Sequence, residues 1–272
     1  MAVDDVDISL GTSLIRVSEQ EQITYLRDKA TNFVFLFGKQ GEGKTAITAS
    51  LIHYLNTECR YGSLEKKGNP AGQRVWEIIK QAIAQGRFPD RTSKANVYEV
   101  ESLFVPSSNC KHLSKVSLTF LEMSGESLSE VSIMKSGRLP SNIDIYFNAG
   151  NLSMTFLLIT SHQEAHSDDH LMVEFLDYIN QKSPRFREAR VLLLISKWDT
   201  YTERENVTEF LKHQMPNTFR RLAKSTNGYG VFSLGTIGNQ DDGAPFILKY
   251  NSGSAKDVFE WLYRTLTGKQ IN

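Results

Sequence analysis

The sequence predicts an α/β fold in which parallel strands form one sheet with helices on both faces, and three observations lead there. A compact aromatic and β-branched run at 32–37, NFVFLF, ends at a glycine-rich segment and is followed at once by a helical stretch from Lys44 to about Thr57. From residue 153 onward, strand-like and helix-like stretches alternate, as expected of parallel strands joined by crossover helices. No internal repeat, low-complexity tract or Pro/Gly/Ser linker interrupts the 272 residues, and 40% hydrophobic composition is enough for a substantial core.

Taken in order, Ser18 followed by Glu21 has capping-box spacing and opens a short helix carrying Ile23 and Leu26, so residues 1–30 are assigned to an N-terminal extension. Residues 31–268 are assigned to a single domain and 269–272 to a tail. The run at 32–37 is the first strand, buried on both faces. Residues 70–84 place Val75, Ile78, Ile79, Ala82 and Ile83 at helical intervals with Gly86 just beyond, so a helical insertion at about 65–87 is expected. Runs at 97–105 and 115–122, joined by PSSNCKH, form a hairpin; in the second, Val116, Leu118 and Phe120 alternate with Ser117, Thr119 and Leu121. Strands at 153–161, 190–196 and 229–234 then alternate with helices at about 168–181, 206–224 and 255–267.

Lysine plus arginine and aspartate plus glutamate each total 31, so no net field draws the chain to nucleic acid or an anionic membrane. Cys59 and Cys110 lack C-x-x-C spacing and the density of a disulfide scaffold, which fits a reducing compartment. The longest apolar runs, such as 191–195, fall far below the ~18 residues of a membrane span. A cytoplasmic location is expected.

Gly38-Lys39-Gln40-Gly41-Glu42-Gly43-Lys44-Thr45 fulfils G-x-x-x-x-G-K-S/T between a strand and a helix, the phosphate-loop context. Glycines let backbone N–H groups turn inward around a β-phosphate, and the following helix N-terminus favours the anion. Lys44 is expected to bridge β- and γ-phosphates and Thr45 to ligate Mg²⁺; Gly38, Gln40, Gly41, Glu42, Gly43 and Ala46 complete the phosphate contacts.

Beyond the strand VLLLI stands Ser196-Lys197-Trp198-Asp199, which resembles the N/T-K-x-D guanine motif of Ras-like GTPases with serine in first place. A carboxylate at Asp199 would accept hydrogen bonds from the guanine N1–H and exocyclic amine, a pair adenine lacks. The alternative for Asp199 is a capping or loop carboxylate. Serine reaches less far than asparagine for tying this loop to the phosphate loop. Ser233-Leu234-Gly235 resembles the turn whose backbone N–H meets the guanine O6.

Glu122-Met123-Ser124-Gly125-Glu126 resembles D-x-x-G with glutamate for aspartate. That resemblance implies Glu122 at Mg²⁺ through water and the Gly125 N–H at the γ-phosphate. Glu126 stands where the family orients the attacking water; it is either a catalytic base or a solvent-facing carboxylate. In Gly86-Arg87-Phe88-Pro89-Asp90-Arg91-Thr92, Thr92 is the candidate first-switch metal ligand, with a simple loop hydroxyl as alternative. Arg87 and Arg91 are candidates for an arginine finger in cis or are merely solvated. Gln40 would crowd a partner's finger, so slow turnover is expected. His162, His166 and His170 recur every four residues, but Ser167-Asp168-Asp169 signals a helix start that would leave His162 and His166 in the preceding loop. That loop would then face the nucleotide or a partner. Trp76 and Trp261 are assigned to core packing.

Together these motifs resemble the Ras-like branch of the TRAFAC P-loop GTPases over about residues 30–268. The helix bearing a tryptophan, the G-x-F-P-x-x-T segment, the hairpin and the acid-x-x-G-E turn are also similar to GTPases encoded in bacterial conflict and defence loci. The resemblance implies a three-layer fold with a mixed six-stranded sheet, the hairpin strand antiparallel at one edge and five strands parallel. It further implies GTP/GDP and Mg²⁺ as cofactors, hydrolysis of GTP in a molecular switch, a protein effector or regulator, and a monomer or a nucleotide-dependent dimer. A nucleotide-dependent assembly module with little hydrolysis and a P-loop ATPase are the alternatives.

Overall fold

A computed structural model of the chain describes residues 19–89, 97–123, 139, 141–149, 152–182, 190–203, 205–222, 227–240 and 245–271. Strand β1 (Asn32–Phe37) lies inside a seven-stranded sheet, and helices cover both faces. Its side chains explain the layering. Phe33, Phe35 and Phe37 enter one core while Val34 and Leu36 enter the other, so every second residue serves the opposite face.

Helices α2 (Lys44–Thr57) and α3 (Pro70–Ala84) pack on the Val34 side, joined there by the last helix, α8 (Gly253–Thr267). Helix α3 begins at Pro70 behind the N-cap Asn69, whose side chain accepts the Gly72 N–H. Of the expected apolar stripe, Ile79, Ala82 and Ile83 are buried alongside Trp76 and Val75 is half-buried, whereas Ile78 points outward and is 46% exposed. Gly86, at φ 68°, follows the helix end as the sequence predicts.

The Phe33 side is covered by α1 (Glu19–Asp28), α4 (Ser141–Asn148), α5 (Ala165–Lys182), α6 (Val207–Gln214) and α7 (Pro216–Leu222). Its centre is aromatic: Phe175 of α5 stacks on Phe37 at 3.7 Å between centroids and on Phe35 at 5.7 Å. Ser18, the expected cap of α1, lies outside the described residues.

The remaining strands are β2 (Gly62–Lys66), β3 (Val97–Pro106), β4 (Val116–Met123), β5 (Ser153–Ser161), β6 (Arg190–Ser196) and β7 (Gly228–Val231), in the order β2-β3-β4-β1-β5-β6-β7. The expected hairpin is β3–β4, antiparallel, and the other neighbours of β1, β5 and β6 pair in parallel. The architecture is the expected three-layer α/β fold, a mostly parallel sheet with helices on both faces. Two details of the six-stranded expectation are corrected. The sheet has a seventh strand, β2, paired antiparallel to β3 from Gly62↔Pro106 to Lys66↔Ser102. The antiparallel strand β3 is therefore second from the edge. Strand β2 buries only Leu64 and carries Glu65 and Lys66, the charged composition of an edge strand, which leaves little periodic signal.

Three further differences follow along the chain. The single helix expected at 206–224 is two helices, because Pro216 cannot donate to the α6 ladder and Met215 leaves helical geometry. The strand expected at 229–234 ends at Val231. A separate antiparallel pair, β8 (Gly235–Asn239) and β9 (Pro245–Tyr250), lies between it and α8.

Candidate functional site

Five parallel strands, β4, β1, β5, β6 and β7, end on one rim of the sheet, where an open α/β sheet forms its ligand crevice. The segment after β1 is Gly38 to Gly43. A Cβ on Gly38 would run into the carbonyl oxygen of Ile159 in β5, so the loop leaves the strand where only glycine fits. Gly41 and Gly43 have φ of 83° and 88°, and nothing stands within 4 Å of a Cβ built on Gly41. The loop thus curls around open space at the start of α2.

Lys44 is 7% exposed, and its ammonium donates to the carbonyls of Gly38 at 2.7 Å and Lys39 at 2.8 Å. Thr45 and Ala46 follow it in the first turn of α2, both half-buried, while Gln40 is exposed on the loop. Two other loop side chains turn back to the protein. Lys39 pairs with the fully buried Asp168 at 2.5 Å, and the Glu42 carboxylate accepts the backbone N–H of Ser161.

The base-motif residues stand across the rim. Ser196 closes β6, Lys197 adopts φ 55°, and Trp198–Thr200 makes one 3₁₀ turn. Among the described residues the Ser196 hydroxyl is buried without a hydrogen-bond partner, so serine makes no side-chain tie to the glycine loop there. Burial pushes the Asp199 carboxyl up, and N–H groups of Asp199 itself and of Leu234 pull it back. Asp199 therefore touches the Ser233-Leu234-Gly235 turn. That turn is held by Phe232 N–H to Ile195 O at 2.8 Å and Asn251 N–H to Leu234 O at 2.8 Å, and Ser233 N–H donates to Ser254 Oγ at 3.1 Å. Trp198 stacks on Tyr201 at 4.3 Å and meets Phe210 edge-on, which fixes the turn against the Phe33-side core.

A cavity of about 280 Å³ joins the two halves. Gly41, Gly43 and Ala46 line one end, and Ser196, Lys197, Asp199 and Leu234 the other. Ile47 and Thr200 also line it, and Phe88, Phe232, Ile237 and Pro245 add an apolar wall that was not anticipated. Phe88 and the β8–β9 hairpin arrive together because Ile247 N–H donates to Gly86 O at 2.7 Å. PFILKY at 245–250 is a legible β-rich run, hidden by the strand-then-helix alternation on either side of it.

Of the expected metal and switch residues, Thr45 is placed at the loop, and the backbone of Glu122 lies near the end of β4 opposite Tyr98. Thr92, Arg91, Gly125 and Glu126 lie outside the described residues. The Arg87 side chain hydrogen-bonds Gln85.

The histidines separate. His166 and His170 belong to α5, which begins at Ala165, three residues before the expected start, because Glu164 O already accepts the Asp168 N–H. His162 stands outside it, with Nε2 2.9 Å from the hydroxyl of Thr200, and burial together with Lys197 lowers its pKa. Trp76 is buried with its indole N–H on Ser102 Oγ at 3.2 Å, and Trp261 is half-buried against the same core. Among the described residues, no helix is long and apolar enough to cross a membrane.

No family model and no curated protein matches the chain. Among solved structures, a similar chain is Methanosarcina barkeri Roco2 RocCORdC bound to GDP, at 12% identity and a TM-score of 0.35. The match covers 75% of this chain and 43% of that one, so this chain spans less than half of that protein's length. The likeness is distant; the fold stands on the strand order and the glycine loop.

Proposed function

We propose that this chain binds GTP and GDP with Mg²⁺ and hydrolyses GTP as a switch read by a protein partner. One observation carries the reading: a single cavity runs from Gly41 and Gly43 of the phosphate loop to Asp199 and Leu234. The loop offers inward N–H groups and a pre-set ammonium to the phosphates, and the far end offers a carboxylate for N1–H and the amine and a backbone donor for O6. Lys197 supplies an aliphatic stem beside the base. Phe88, Phe232 and Ile237 suit a flat aromatic ring that leaves water.

Magnesium bound here would offset the charge on the β- and γ-phosphates. Thr45 suits it: a hydroxyl in the first turn of α2, next to the ammonium that meets the same phosphates. Thr92 and Glu122 are the proposed further ligands, Gly125 the γ-phosphate sensor and Glu126 the residue that orients water. The second reading is a nucleotide-dependent assembly module with little hydrolysis, favoured by Gln40, whose side chain is exposed where a partner's arginine would enter.

Fluorescent-nucleotide titration with guanine, adenine and xanthine triphosphates tests the assignment. K44A is expected to lose measurable triphosphate affinity. Replacing Asp199 by asparagine removes two charge-assisted hydrogen bonds of about 1.5–3 kcal/mol each. GTP affinity should therefore fall about 10²- to 10⁴-fold while xanthine nucleotides gain. Unchanged GTP binding by D199N sinks the guanine assignment, and product chromatography after a single turnover separates the switch from the assembly module.

A further inference from the structure

We infer that Glu42 is a positioning residue of the nucleotide site, clasping the carboxyl end of β5 from within the phosphate loop and linking that loop to the strand pair that carries the base motif. The inference takes its ligand from the guanine-nucleotide reading; the clasp itself is a matter of geometry. A carboxylate on a glycine-rich loop has every reason to face water, since burial removes its hydration. Yet Glu42 is 4% exposed, and its Oε2 accepts the backbone N–H of Ser161, the last residue of β5.

Ser161 is the register partner of Ser196 on the parallel strand β6. The first residue of the base motif is thus one strand spacing from the atom that Glu42 holds. Ser196 itself makes no direct tie: among the described residues its hydroxyl has no hydrogen-bond partner, although it lies 3.9 Å from the position of a Cβ on Gly43. The connection between phosphate end and base end therefore runs through Glu42, Ser161 and the β5–β6 pairing, extended by His162 N–H to Ser196 O at 3.4 Å.

Lys39 anchors the other side of the loop. Its ammonium meets Asp168 Oδ1 at 2.5 Å, and Asp168 Oδ2 accepts the Thr160 hydroxyl at 2.7 Å. Two loop side chains three positions apart thus grip consecutive residues of β5, Thr160 through Asp168 and Ser161 directly. Burial pushes the Glu42 carboxyl up, while hydrogen bonding from Ser161 and the positive charge of Lys197 pull it back. A loop held on both flanks keeps its N–H groups aimed inward before the nucleotide arrives, so less ordering accompanies binding.

Stopped-flow displacement of labelled GDP and GTP from E42A and E42Q tests this on the full chain. E42A should release both nucleotides at least tenfold faster than wild type with an unchanged guanine-to-xanthine preference. E42Q, whose amide oxygen still accepts from Ser161 N–H, should release them at least fivefold more slowly than E42A. E42D, too short to reach Ser161, replaces E42A if that variant does not fold. Release from E42A within twofold of wild type, equal release from E42A and E42Q, or a changed purine preference each overturns the role. If wild type binds no guanine nucleotide, the functional reading has failed, and amide hydrogen exchange at residues 38–45 still decides the clasp. Faster exchange in E42A than in E42Q supports it, and equal exchange refutes it.

Discussion

At Gly235 the backbone adopts φ 120°, and an added Cβ would collide with the carbonyl oxygen of Lys249 and approach Asn251 N at 2.9 Å. The residue follows Leu234, whose N–H faces Asp199, so its conformation sets the Asp199 end of the cavity. G235A should destabilise the fold by about 2–4 kcal/mol through strain and overlap. Urea denaturation reads that loss, and a native-like midpoint would contradict it. The glycine was legible as part of a triplet; the reason only glycine fits there was not, because Lys249 and Asn251 come from the far end of the paired strand β9 and just past it. Glu42 is the stronger case. In the motif its position tolerates any residue, and a glutamate in a loop is ordinarily solvated. Only the approach of β5 makes it an internal hydrogen-bond acceptor.

Between α6 and α7 the helix stops at Met215, and Pro216 starts the next one. The new N-terminus is satisfied from a distance: the buried Asp169 of α5 accepts Thr218 N–H at 2.7 Å, Asn217 N–H at 3.1 Å and the Asn217 side-chain amide at 2.9 Å. D169A leaves those donors without their acceptor and should cost about 1–3 kcal/mol. D169N, which retains one carbonyl oxygen, should fall between it and wild type in the same denaturation series. Equal stability of all three would show that α7 does not depend on the cap. The proline was a readable break, since its ring forbids the preceding ladder. Its partner lies 47 residues before it in the chain, beyond any local pattern. Strand β2 was invisible for a related reason: its pairing energy comes from β3, and its own residues resemble a charged turn.

Across the whole molecule, α2 connects the glycine-rich loop after β1 to the β8–β9 hairpin. His53 of α2 meets Tyr250 of β9 edge-on at 4.9 Å, and Ser50 bonds the same tyrosine hydroxyl at 2.8 Å. Among the described residues the Nδ1 of His53 is buried without a partner, and burial lowers its pKa from the ordinary 6.5, more than Glu58 raises it. The unfolded chain therefore takes up this proton first as pH falls. Stability conferred by neutral His53 is full above about pH 6.5 and declines as pH drops toward the lower folded-state value. His162 is shifted the same way, so H53F should have a shallower acid-side loss in unfolding free energy between pH 7.5 and 5, with the His162 contribution remaining. A slope as steep as that of wild type would show that His53 does not carry this dependence.

By itself the sequence determined the parallel core, the β3–β4 hairpin and the glycine-rich turn between β1 and α2, because each is written in neighbouring residues whose periodicity or glycine spacing has a local physical meaning. The tertiary structure decided the seventh strand, the Asp169 cap on α7, the hairpin wall of the cavity and the burial of Glu42. Each of those depends on groups supplied by segments far away in the chain, and a backbone donor or an apolar wall contributed from a distance leaves no mark on the residues that receive it.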